Sequence, residues 1–131
     1  MTYYMAATLE TSFDEAIART EAALQNEGFG VLTRVDVQQT LKNKIDVDFR
    51  PYTILGACNP KLAHEALQLE DKVGTMLPCN VVVQQKGPGQ VEVAAINPVA
   101  SMQAIDNPQL KKAAETVREK LSRVIESLTS P

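Results

Sequence analysis

The chain has 131 residues, 44% hydrophobic and 22% charged, with a formal net charge of -3. That length makes a single domain over 1–131, with a core large enough to hold without disulfide staples. Lysines and arginines lie scattered among acids, so no basic stripe releases phosphate counterions, and no apolar run approaches the roughly 18 residues of a membrane span; nucleic acid and membrane are both excluded as partners.

The opening Met1-Thr2-Tyr3-Tyr4-Met5 lacks the charged-then-apolar plan of a signal peptide, so cytoplasmic residence is expected. Tyr3, Met5, Ala7 and Leu9 alternate with more polar neighbours and predict a first strand, half buried. Ser12-Phe13-Asp14-Glu15 reads as a capping box in which the Ser12 hydroxyl takes the Glu15 amide and Glu15 reaches back. A helix over 12–27 follows, with Gly28 at the left-handed position beyond its end.

Phe29, Val31, Thr33 and Val35 predict a second strand. Asp36, with Gln39 three places on, caps a short helix near 36–44, which Asp46 to Pro51 should break because proline lacks an amide and restricts its predecessor. Tyr52 to Cys58 is a third strand. Asn-Pro then occurs three times, at 59–60, 97–98 and 107–108, and each pair joins a favoured cap to a favoured first-turn residue.

Leu62, Ala63, Ala66 and Leu67 give one face of a helix from Pro60 to about 69. Cys79 to Gln85 is a fourth strand, whose three successive valines suggest burial on both faces. Lys86-Gly87-Pro88-Gly89 turns it back into a fifth strand, Gln90 to Ile96. After Pro108, Leu110, Ala113, Ala114, Val117, Leu121, Val124, Ile125 and Leu128 form the cleanest amphipathic face in the chain. Its polar side carries Glu119 and Arg123, an i,i+4 pair of favourable order. The helices at 12–27 and 60–69 allow crossovers, while the late hairpin must be antiparallel. The expected fold is α+β: a single mixed, largely antiparallel sheet of about five strands with helices packed against it, a two-layer sandwich.

The chemistry concentrates in Gly56-Ala57-Cys58-Asn59-Pro60 and Leu77-Pro78-Cys79-Asn80-Val81, which hold the only two cysteines, each followed by asparagine. Cys58 ends a strand just before a helix start, where the dipole favours a thiolate if the sulfur faces the amides. A small apolar side chain packed under the helix is the plainer reading, as buried filler is for Cys79. Cys79 opens a buried strand. If those strands are neighbours, the two thiols form a redox couple or half of a metal site. Under reducing conditions a 58–79 disulfide is transient or absent.

His64 completes a Cys, Cys, His set whose spacing matches no standard zinc pattern, so neither metal nor cofactor is expected. Arg34, Lys44 and Arg50 lie at element ends, where with the amides after Asn59 they would receive a small anion; scattered surface charge is the plainer reading. No P-loop, GxGxxG, HExxH or GxSxG is present, and no carboxylate pair sits in an apolar setting, which argues against catalysis.

Four runs resemble the domain of unknown function 302 family: Asn26 to Thr33, Asp48 to Pro60, Leu62 to Leu67, and Leu77 to Val83 with its second Cys-Asn pair. The resemblance spans essentially the whole chain. It implies a small α+β fold, bacterial or archaeal origin, cytoplasmic residence and a homodimer, and brings no agreed activity. The matching motif positions are Gly56, Cys58, Asn59, Pro60, Leu77, Pro78, Cys79 and Asn80.

The expected function is therefore a dimeric small-molecule or protein binding module. Its ligand would meet Cys58, Asn59, Cys79, Asn80 and Arg50, where 56–60 and 77–81 converge. The alternative is thiol redox or sulfur transfer through Cys58 and Cys79, with metal binding a more distant third.

Overall fold

A computed structural model describes residues 2–129. Five strands, β1 (Tyr4–Glu10), β2 (Gly30–Asp36), β3 (Tyr52–Cys58), β4 (Cys79–Gly87) and β5 (Gln90–Ile96), form one sheet in the order β1-β5-β4-β3-β2. The helices are α1 (Phe13–Asn26), α2 (Val37–Ile45), α3 (Pro60–Leu69), α4 (Pro98–Ser101) and α5 (Pro108–Thr129), with a 3-10 segment at Asp71–Met76. The α+β class, a five-stranded sheet with helices packed on it, is the one expected. The mixed character is not, because all four pairings are antiparallel. α1 does connect two strands of the same direction, but they are the two edges, and β3, β4 and β5 lie between them. α3 instead joins antiparallel neighbours.

Local sequence sets most element ends. Ser12 Oγ accepts from the Glu15 amide at 3.2 Å, although the Glu15 carboxylate turns to Arg19 at 3.5 Å rather than back to the cap. Asp36 caps α2 through the Gln39 amide at 2.9 Å. That helix stops at Asp46, which takes the left-handed conformation at φ 53°, so its end precedes Pro51 and does not depend on it. Asn59, Asn97 and Asn107 each accept an amide from the helix that follows, as the three Asn-Pro pairs predict.

The main core lies between one sheet face and the helices α1 and α5. Val81, Val83, Val91, Val93 and Leu55 from the strands meet Leu24 of α1 and Leu121 and Val124 of α5, with almost no solvent exposure. A second, smaller core forms beside it from Ala66, Val73, Met102, Leu110 and Ala114. Arg123 of α5 pairs with Glu27 at 3.0 Å, not with Glu119, and so ties α5 to the end of α1.

On the opposite sheet face Val35, Ile54, Val82, Ala94 and Ala6 are half-buried or exposed rather than enclosed. Val82 is only half-buried there, so the valine run is not enclosed on both sides. In β2 a register shift between Val31 and Thr33 leaves Leu32 as an extra residue, which interrupts the alternation expected from Phe29 to Val35.

Candidate functional site

The pairing of β3 with β4 brings the two Cys-Asn tracts together. Gly56 lies opposite Asn80 and Ala57 opposite Cys79, so Cys58 and Cys79 sit at the same end of adjacent strands. Close approach at this end demands small residues. A Cβ on Gly56 would come within 2.8 Å of Pro78 Cγ and closer still to the Thr33 side chain. Gly28, at φ +86°, holds the turn after α1, and a Cβ there would stand 3.0 Å from Asn59 Nδ2.

Both cysteines line a small apolar cavity of about 50 Å³. It occupies the seam between the two cores. Phe29, Ala57 and Cys79 come from the main core; Ala66, Met102, Leu110 and Ala114 come from the smaller one. Cys58 and Asn59 border it at the junction of β3 and α3, and Leu77 and Pro78 wall the β4 side. Asn59 is the cavity's one side chain carrying oxygen or nitrogen, and its Oδ1 already accepts from the Leu62 amide at 3.2 Å. The space suits a few heavy atoms of apolar or soft character; a drug-sized molecule needs several times that volume.

Both cysteines are free thiols, Cys58 half-buried and Cys79 buried. Burial pushes the Cys79 thiol from 9.0 up to about 11, and negative charge on Cys58 adds to that rise. Cys79 is therefore a protonated thiol at neutral pH, a poor nucleophile unless something replaces its proton.

Of the residues expected at the site, Cys58, Asn59 and Cys79 are brought together. Asn80 is not: it is exposed on the opposite sheet face, beside Tyr52, Val82 and Gln84. Successive strand residues point to opposite faces, so an inward Cys79 sends Asn80 outward. Arg50 is also elsewhere, stacked 4.4 Å from the Phe49 ring centroid and donating from Nε to Gln84 Oε1 at 2.9 Å. Arg34 pairs with Glu21 on α1, so no anion site assembles from Arg34 and Arg50 at the start of α3.

His64 is exposed on α3 and does not line the cavity. Among the described residues no group of three or more His, Cys, Asp and Glu side chains could hold a metal, so the Cys, Cys, His set is not assembled. Phe29, Met102, Ala113 and Val117, which complete the wall, were not anticipated as site residues. Ala113 and Val117 were expected only as part of the apolar stripe of the last helix.

No helix among the described residues is long and apolar enough to cross a membrane. No curated protein matches the chain. A crystal structure of an uncharacterized conserved protein DUF302 from Bacillus stearothermophilus is similar to it, with 31% identity and a TM-score of 0.89 over 96% of this chain and 98% of that one. The family model described as domain of unknown function DUF302 matches residues 5–128. By that match over nearly the whole chain, and by its likeness to a solved member, the chain belongs to the DUF302 family.

Proposed function

We propose that this protein is a non-catalytic binding module of the prokaryotic cytoplasm, a homodimer that takes a small ligand in the cavity beside Cys58, Asn59 and Cys79. The observation that carries the reading is the convergence of segments 56–60 and 77–81 on one apolar space between two cores. Interiors normally close such seams, because unfilled space forfeits contacts on every wall. The Bacillus origin of the similar structure supports a prokaryotic source, and two free thiols suit a reducing compartment. The open sheet face supports the dimer.

The test is thermal shift with small apolar compounds and with anions, on the native chain and on Ala113→Leu, which fills the cavity from α5. Small apolar compounds should raise the melting temperature of the native chain and lose that effect in the variant, which must retain the native circular dichroism spectrum. No stabilisation of the native chain, or equal stabilisation of both, would overturn the reading.

The difference in burial between the thiols favours a second reading, thiol exchange. The more accessible Cys58 thiolate attacks a low-molecular-weight disulfide and releases one thiol. Cys79 then displaces the second, leaving a 58–79 disulfide. The raised Cys79 thiol makes its step slow at neutral pH, which is why binding is preferred.

A further inference from the structure

We propose that the cavity is a site for a soft monovalent cation, Cu(I), held by the sulfur atoms of Cys58, Cys79 and Met102. This rests on the reading of the cavity as a ligand site and names its ligand. All three sulfur-bearing side chains line the same space of about 50 Å³, a volume suited to an ion. Every other wall is apolar except Asn59, whose oxygen is committed to the Leu62 amide. Calcium and magnesium need six or more oxygen ligands and would find a single, already shared side-chain oxygen. Zinc would find two cysteines and no third His, Cys, Asp or Glu. Thiolate and thioether ligands in an apolar setting are what Cu(I) prefers.

Charge and protons balance without electron transfer. One Cu(I) replaces the protons of two thiols, forms two copper–thiolate bonds and one thioether contact, and releases two protons to the buffer; copper remains Cu(I) throughout. The bound set carries one net negative charge. The start of α3, capped by Asn59 and contributing Leu62 and Ala63 to the cavity wall, offsets that charge with the positive end of its dipole. The burial that keeps Cys79 protonated in the free protein is overcome because the metal, not solvent, takes the proton's place.

The test is anaerobic titration of the reduced full chain with Cu(I) against a coloured Cu(I) chelator, reading chelator absorbance and protons released. The expected result is one ion and about two protons per chain. Cys58→Ser and Cys79→Ala should each abolish tight binding. Met102→Leu, which keeps the volume, should weaken it by about tenfold, and His64→Ala should leave it unchanged. Melting curves of each apoprotein confirm folding. Failure of Cu(I) to compete, or equal affinity in Met102→Leu and the native chain, would overturn the proposal. If Cu(I) fails while small apolar compounds still stabilise the chain, the cavity reading stands and the cation falls. If neither binds, both fall.

Discussion

Cys79 is a titratable group whose ionisation the fold resists. Its thiol rises from 9.0 to about 11, chiefly through burial and secondarily through Cys58, so in the pH window between those values the folded chain holds a proton that the unfolded chain releases. The stabilisation is fully present below pH 9 and is lost as pH climbs through 11. A displacement of that size corresponds to ~2–3 kcal/mol. Cys79→Ala removes the titration and keeps a small apolar side chain, so urea unfolding of the two proteins from pH 7 to 11.5 isolates it. The native chain should lose ~2–3 kcal/mol relative to the variant across that range, and alkylation of Cys79 should rise through pH 11 rather than 9. Parallel stability curves would show that the thiol is not held by burial.

At the scale of elements, Asn59 shows why some of this structure was legible in the sequence. A cap is a local object: a carboxamide oxygen, an amide three residues on, and a proline already set for the first turn. The strand spans 52–58 and 90–96 and the start of α3 followed from such short-range rules. Cys58, Asn59 and Cys79 were found because they sit on those boundaries. The Leu32 bulge, the all-antiparallel order and the Arg123–Glu27 pair depend on partners far along the chain, and no periodicity encodes them. Met102 and Phe29 reach the cavity through tertiary packing alone, whereas the outward turn of Asn80 was available from strand alternation and was missed. The cap itself is testable. Asn59→Ala should cost about 1 kcal/mol in denaturant unfolding, and Asn59→Asp, which keeps an acceptor for the Leu62 amide, should recover most of it. Equal losses would mean that Asn59 acts through its packing against Gly28 instead.

For the whole molecule, the unexplained surface is the sheet face away from α1 and α5. The register aligns Val35, Ile54, Val82, Ala94 and Ala6 across all five strands, an apolar row with polar neighbours such as Gln84, Glu92 and Thr8 alongside. Glu92 and Lys86 line the same concavity, and Lys86 has no ion-pair partner among the described residues. A two-fold axis lying in the interface plane, parallel to this face, would lay the apolar rows together and let Lys86 of one copy approach Glu92 of the other, the self-complementarity that an isologous dimer requires. The two cavities would then remain on the outer sides of the pair, free to take ligand independently. Light scattering on the native chain should give twice the 14.3 kDa chain mass. Val82→Lys places an unpaired charge in the centre of the row and should yield a monomer with the native circular dichroism spectrum and unchanged ligand binding. A native monomer, or a dimer that survives Val82→Lys, would move the interface off this face; a variant that dissociates and also loses its ligand would mean that the cavity depends on the pairing.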